Sequence, residues 1–544
     1  MRPEDLWYKR AIVYCLDVET FMDSNGDGIG DFAGLYDRLD EIASLGVTCI
    51  WLLPFYPTPN RDNGYDIKDY YGVDPRLGTL GEFVEFVHLA DEYGIRVIVD
   101  LVVNHTSDQH PWFQKAINDP TSKYYDYYVW QDEEPDSDAK VIFPGQQERT
   151  WTYNEQADAW YLHRFYDHQP DLNIANPDVQ AEIRRIMGFW LQLGIAGFRM
   201  DAAPYLIELR GIDNPDVDDP YEYLSDFRDF ISWRRGDAVL LAEVNVPADK
   251  IGQYFGDGDR MQMLFNFSLC RHIFLALTRN DSQPIMKSLQ ELPEIPDTAQ
   301  WAVFLRNHDE LNLSNIPEDE QEEIYAAFAP NNDMQIFDRG IRRRLAPMLD
   351  NDRRRLELVH SLMLTLPGTP VFRYGEEIGM GDDLSQPGRD SIRTPMQWSR
   401  ERHAGFSTAP ADQLVRSVID EGEFSYKCVN YEDQSLDPDS FYNWLVRAIR
   451  VRTTCPEFGE SKAEFIDMGD SRILAHHCQT DHGQVFALHN LAEEEISVSL
   501  KGTFGEIDRA IDLMGEKSQH AEEDLDSVTL SEYGYRWLRI IHPH

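Results

Sequence analysis

At 544 residues the chain is too long for one ordinary domain of roughly 100–200 residues, and its 42% hydrophobic and 12% aromatic content excludes wholesale disorder. Fifty Lys and Arg against 96 Asp and Glu leave a net charge of −46, which excludes nucleic-acid binding through a general basic surface. No run approaches the roughly 20 apolar residues of a membrane span, and the charged first ten residues hold no uninterrupted apolar stretch, so neither a membrane anchor nor a signal peptide is expected.

The first half alternates short apolar runs with longer amphipathic stretches. Residues 11–18 (AIVYCLDV) precede a helical pattern at 34–45; 49–54 (CIWLLP) precede a second at 79–93; 96–105 (RVIVDLVVNH) come third. Continuous Val, Ile and Leu runs suit parallel strands buried on both faces, and Gly46 and Gly94 suit helix C-caps. Residues 106–170, rich in Trp, Tyr, Asp and Pro, break the rhythm as an inserted subdomain. It returns with a helix at 178–193 and strand candidates at 194–201, 238–244, 263–267, 301–309 and 369–378. Eight βα repeats with an excursion after the third predict a (β/α)8 TIM barrel, an α/β fold in two parts, 1–105 and 171–455. From 456 to 544, short strand-like runs between turn residues predict a C-terminal antiparallel β domain. The basic run at 342–344 and 353–355, beside Asp350 and Asp352, reads as a salt-bridged helix face. Six cysteines, widely spaced and without a CxxC, predict buried thiols and a reducing cytoplasm.

In a barrel of this kind chemistry gathers at the C-terminal ends of the strands. Asp100, Asn104 and His105 lie on or past the third strand, Arg199 and Asp201 end the fourth, Glu243 ends the fifth, and Asn307, His308 and Asp309 end the seventh. A polar residue leaving a strand is usually a cap; carboxylates and histidines at four strand ends of one barrel predict a shared active site. Two carboxylates facing each other across a sugar are the machinery of glycoside hydrolysis: one attacks the anomeric carbon, the other protonates the leaving oxygen. Arg199, two residues before Asp201 on the same strand face, would hold that carboxylate ionised. Glu243 sits in apolar LLAEV, where desolvation raises a carboxyl pKa as an acid requires.

These stretches resemble the α-amylase superfamily, glycoside hydrolase family thirteen: DLVVNH (100–105), GFRMD (197–201), LLAEV (240–244) and FLRNHD (304–309), with QPDLN (169–173) similar to a further region of its oligosaccharide-acting branch. The resemblance implies Asp201 as nucleophile, Glu243 as general acid/base and Asp309 as transition-state stabiliser. It places Arg199, His105 and His308 around the same sugar, Asp62 and Tyr65 of DNGYD at the end of the innermost subsite, and Arg393 of RDSIRTPMQW beside them. The long stretches at 21–35, 101–113, 304–311, 340–355 and 377–382, with RTPMQWS, are similar to members that convert maltose to trehalose by transferring glucose within the site. CLDVETF (15–21) and Val244-Asn245-Val246 depart from that pattern, the second one residue from Glu243. The substrate implied is a small α-glucoside such as maltose. An α-glucosidase or open transglucosidase, and more remotely an inactive carbohydrate-binding barrel, are the alternatives; a metal-dependent hydrolase using His105 and His308 finds no HxH or HExxH spacing at either histidine.

The loop Asp23, Asn25, Asp27, Ile29, Asp31 alternates oxygen-bearing residues among glycines, which suits Ca²⁺; position twelve is Gly34 rather than Glu, so it is not an EF-hand. The resemblance implies Ca²⁺ there, held partly by the Ile29 carbonyl, and a second Ca²⁺ held by Asn104, Asp171, Glu208 and the carbonyls of Tyr205 and Leu206. Both would be structural, and no organic cofactor is expected. The acidic excess is spread over the whole chain, lysine is scarce, and a dispersed carboxylate coat of this kind predicts a salt-loving host.

Overall fold

The computed structural model describes residues 3–135, 141–210, 219–481, 483–501, 503, 509–515 and 525–541; the side chains of 3–5 and 207–210 lie outside that description. Eight parallel strands close into a barrel: β1 (Val13–Leu16), β2 (Cys49–Leu52), β3 (Arg96–Leu101), β4 (Gly197–Met200), β5 (Val239–Ala242), β6 (Met263–Phe265), β7 (Gln300–Phe304) and β8 (Thr369–Arg373). They neighbour one another in chain order and β8 pairs with β1. Almost every strand residue is buried, which is why the runs read as continuous apolar stretches rather than alternating ones. Gly197 opens β4 at φ 151°, and a Cβ there would collide with the Val239 carbonyl oxygen of β5, so only glycine lets these two strands start side by side.

The helices follow their sequence signals. α1 (Leu80–Glu92) starts on a Thr79/Glu82 capping box, and α2 (Pro177–Gln192) on Asn176 with Pro at its first position. Gly46 (φ 94°) ends the helix before β2 in the left-handed conformation. The pattern at 34–45 is two helices, Phe32–Asp37 and Leu39–Leu45, broken at Arg38 (φ −107°, ψ 8°). α3 (Phe267–Arg279) follows β6, and α4 (Arg353–Thr365) precedes β8.

Between β3 and α2 lies a three-stranded antiparallel sheet, Trp130–Gln131, Ala159–Leu162 and Trp151–Asn154. Beyond α5 (Phe441–Thr453), a five-stranded antiparallel sheet runs β9 (Ala463–Phe465), β10 (Ile473–Thr480), β11 (Gly483–Asn490), β13 (Tyr535–Ile541), β12 (Arg509–Asp512). This sheet packs on α4, where Ser361 takes a hydrogen bond from Trp537 Nε1 (2.8 Å) and pairs with His489 Nε2 (2.9 Å).

The basic run departs from the sequence reading. Only 353–355 begin a helix. Arg342 and Arg344 lie before it and serve as internal props, Arg342 donating to the carbonyl of Leu384 and Arg344 Nη1 to that of Tyr374 (2.9 Å). Arg344 is 4% exposed. All six cysteines are free; Cys428 alone is exposed. Among the described residues no helix is long and apolar enough to cross a membrane.

Candidate active site

The C-terminal ends of β2, β3, β4, β5 and β7 open on one cavity of about 890 Å³. Asp62, Tyr65, His105, Asp201, Glu243 and Asp309 line it; Arg199, His308 and Arg393 stand directly behind that wall.

Arg199 on β4 is the hub. Its Nη1 donates to Asp201 Oδ1 (2.5 Å) and to Asp100 Oδ1 (2.6 Å), and its Nη2 to Glu243. One guanidinium thus touches three carboxylates from three adjacent strands. The register Asp100↔Arg199↔Leu241 makes this possible, because residues at one level of a parallel sheet share a layer. Asp100 is pinned further by Trp51 Nε1 (2.9 Å), whose ring lies under the Arg199 guanidinium at 5.1 Å. Burial lifts the Asp100 carboxyl to about 7, against the pull of Arg199.

Glu243 and Asp309 are pushed apart. Burial raises Glu243 to about 8; Arg199 opposes this, while the charges of Asp201, Asp309 and Asp100 add to it. Burial also opposes a charge on Asp309, but the guanidinium groups of Arg389, Arg393 and Arg199 outweigh it and hold this carboxyl far below the usual range. One group is therefore a proton donor at neutral pH and the other a fixed negative charge, the division that acid catalysis beside a developing cation demands.

The histidines are neutral. Burial lowers His105 to about 4, and its Nε2 bonds the Tyr65 carbonyl (3.0 Å). Burial pushes His308 well down; its Nε2 meets the Tyr65 hydroxyl (2.7 Å) and the two rings stack at 3°. Arg393 donates from Nε to the His308 carbonyl (2.9 Å) and from Nη2 to Asp309 Oδ1 (2.9 Å). Asp62 accepts from Gln169 Nε2 (2.8 Å).

The sequence reading missed Arg389. Its guanidinium bridges Asp309 (Nη1–Oδ1 2.5 Å) and Asp62 (Nη2–Oδ1 3.3 Å) across the cavity and lies over the rings of Phe143 and Phe337, at 5.1 and 5.8 Å. Those two rings touch at 4.8 Å, joining the excursion after β3 to the segment after β7. Arg339 adds a second clasp, donating to the Ile142 carbonyl (2.5 Å) and pairing with Glu310 (3.2 Å). The available signal was the RDSIR spacing, which puts Arg389 inside the short helical turn 388–392 and Arg393, four residues on, at its C-cap.

The donor set at 23–31 suits a hard cation, but its side chains already serve the loop itself. Asp23 accepts from the backbone N–H of Asn25, Gly26 and Gly28, and Asp31 from Ser24, Asn25 and Gly34. At the second predicted site Asn104 Nδ2 reaches Asp171 Oδ1 (3.4 Å), and Asn104 Oδ1 is buried without a hydrogen-bond partner, an oxygen a cation would satisfy. Arg164 already stands 3.4 Å from Asp171. Tyr205 and Leu206 lie on the helix after β4; the Glu208 side chain is outside the described residues. Among the described residues no three His, Cys, Asp or Glu converge as a metal cluster.

Residues 17–459 match the family model of the α-amylase catalytic domain, and 483–539 that of a sucrose hydrolase-like C-terminal domain. The chain is 42% identical over 555 aligned residues to a trehalose synthase/amylase of Mycolicibacterium smegmatis, covering 99% of this chain and 93% of that protein. It is 39% identical to a trehalose synthase of Pimelobacter, covering 99% and 97%. The crystal structure of an α-amylase from H. orenii superposes with a TM-score of 0.79 at 29% identity, over 98% of this chain and 99% of that one.

Proposed function

The chain belongs to the α-amylase family, and from that premise we propose that it is a retaining α-glucosyl transferase that turns maltose into trehalose, with hydrolysis as a side reaction. Asp201 attacks the anomeric carbon while Glu243 gives its proton to the glycosidic oxygen; the C–O bond to the second glucose breaks and an Asp201 glucosyl ester forms. The freed glucose stays in the cavity, turns, and offers its anomeric hydroxyl. Glu243, now a carboxylate, takes that proton as the new C–O bond forms and the ester breaks. Asp309, held ionised, stabilises the positive charge on the sugar ring in both steps.

The observation that favours retention of the glucose over its loss to water is the clasp. Arg389 joins Asp309 to Asp62 across the cavity, and Arg339 ties the segment after β7 to Ile142. Such contacts hold the loops around the cavity together and narrow the path by which water enters and the leaving sugar escapes. The resemblance of the whole chain to trehalose synthases points the same way. Val246, on the cavity wall beside Asn245, offers the turning glucose no side-chain hydrogen bond and favours leakage to water.

Maltose is therefore expected to yield trehalose as the leading product together with free glucose. Val246→Gln should shift the product ratio toward trehalose by up to about tenfold, the worth of one hydrogen bond of roughly 0.5–1.5 kcal/mol. Chromatography that resolves the two sugars decides it. Steady glucose release without trehalose from either form would make this an α-glucosidase.

We further propose a structural Ca²⁺ at 23–31, supported by the alternating carboxylate and amide oxygens of that loop. A chelator should lower the melting temperature by several degrees, and Asp27→Ala should remove the sensitivity; a parent protein indifferent to chelation sinks the proposal. A cytoplasmic setting, and a host with high internal salt, fit the free buried cysteines and the −46 charge.

A further inference from the structure

The loop after Glu243 carries Asn245, whose side chain lines the cavity on the side away from Asp62 and Tyr65. Behind it α3 presents two residues on one face, Phe267 in the cavity wall and Arg271 one turn later. Arg271 Nη1 donates to Asn245 Oδ1 at 3.1 Å, and Asn315 Nδ2 donates to the same oxygen at 3.2 Å. The Asn245 Nδ2 lies 3.5 Å from Ser314 Oγ, another residue of the cavity wall.

Arg271 is 4% exposed, and among the described residues no carboxylate stands within ion-pair distance of it. Its Nε has no hydrogen-bond partner. A buried cation without a counter-ion is expensive to keep, and here its guanidinium is spent on one side-chain amide. Guanidinium has only donors. The amide oxygen of Asn245 must therefore face Arg271, and its NH₂ must face the cavity.

We propose that Arg271 is a positioning residue for the acceptor: it locks Asn245 with its amide NH₂, one N–H of which reaches Ser314, toward the freed glucose, and so sets how often that glucose is recaptured rather than lost. This rests on the transfer reading given above. Arg271 itself touches no sugar. The cation behind the amide polarises it and strengthens the donor it presents. Val246, on the same loop and in the same cavity wall, carries no amide, so Asn245 is the amide this loop contributes to recognition.

The test compares Arg271→Gln, Arg271→Lys and Asn245→Ala with the parent on two substrates. From maltose, Arg271→Gln should lower the trehalose-to-glucose ratio about tenfold, as loss of one charge-assisted bond implies. On α-glucosyl fluoride, where the acceptor plays no part in forming the glucosyl ester, fluoride release should fall less than about twofold. Arg271→Lys should recover part of the ratio, and Arg271→Gln added to Asn245→Ala should change nothing further. An unaltered ratio overturns the proposal, and so does fluoride release falling in step with transfer, which is what mere structural damage would give. If the Arg271 variants do not fold, Asn315→Ala on the exposed rim should shift the ratio in the same direction by a smaller factor; no shift overturns it. If the parent makes glucose alone, the transfer reading has failed, and Arg271 is then read from inhibition by added glucose: a Ki raised severalfold in Arg271→Gln supports the positioning role, and an unchanged Ki ends it.

Discussion

Asp201→Asn should lose glucosyl-ester formation on every substrate, by roughly four orders of magnitude or more, the scale on which removing a nucleophile acts. Glu243→Gln should match that loss only where the leaving group needs a proton. On maltose it should lose about two to four orders of magnitude; on α-glucosyl fluoride it should keep far more activity than Asp201→Asn, because fluoride departs with little help. Equal loss of the two variants on the fluoride would contradict the division of labour between these residues. The same division has a pH signature. Glu243 is pushed up to about 8, so its acid form is present below that value and lost as pH rises through it. The kcat/KM for maltose should fall on the alkaline side near pH 8, and Glu243→Gln acting on the fluoride should lack that limb.

The seam between α4 and the C-terminal sheet should give way in acid before the carboxylates themselves titrate. Three histidines are fully buried there. His476 and His489 stack at 1°, His476 Nε2 donates to the Thr365 carbonyl (3.0 Å), and His360 Nδ1 donates to the Leu356 carbonyl (2.7 Å). The second nitrogens, Nδ1 of His476 and His489 and Nε2 of His360, are buried without partners, so a second proton would sit on a donor with nowhere to point. Burial lowers His360 and His476 to about 4 and His489 well below its ordinary value. The unfolded chain takes its protons near 6.5 and the folded one near 4, so the unfolded state binds more protons throughout that interval and stability rises with pH across it. Each of His360 and His476 withdraws on the order of 3 kcal/mol between pH 6.5 and 4. Protonating carboxylates on a −46 surface relieves repulsion and works the other way. The decisive quantity is therefore the difference between parent and His476→Gln: melting temperatures measured from pH 7 to 5 should diverge by several degrees, the parent falling faster. Parallel curves would remove the histidines from the explanation.

The barrel was legible because its strands are buried on both faces, which leaves CIWLLP wholly apolar and RVIVDLVV, beyond its first residue, broken only by Asp100, with no alternation to confuse the period. The residues at the strand ends were legible for the converse reason: Asp201 and Glu243 follow directly on apolar strands, Arg199 interrupts one, and Asp309 closes the polar stretch just past another. Groups that reach the cavity from loops carry no such mark. Arg389 meets Asp309 across 80 positions of chain, and Arg339 meets Ile142 across 197; only closure of the barrel brings them together. Arg271 was hidden differently. It lies on the buried face of α3, where a sequence reading expects packing, and its partner Asn245 is set by the loop geometry after β5. The 342–344 run misled because arginine usually lies on a solvated face, whereas here Arg342 and Arg344 turn inward to the carbonyls of Leu384 and Tyr374.

The volume of the cavity that the clasp crosses fixes a concentration. One glucose confined to about 890 Å³ is present at about 2 M, the effective molarity of an acceptor that never leaves. The same space holds roughly thirty waters at about 30 Å³ each when open. Recapture therefore wins by keeping those waters out rather than by holding more sugar, and free glucose in the surrounding solution becomes a competitor only as it nears molar levels. The Arg389 bridge thus acts as a setting on solvent activity inside the enzyme, and the ratio of isomer to hydrolysis product reports how dry the chamber is at the moment the ester is attacked.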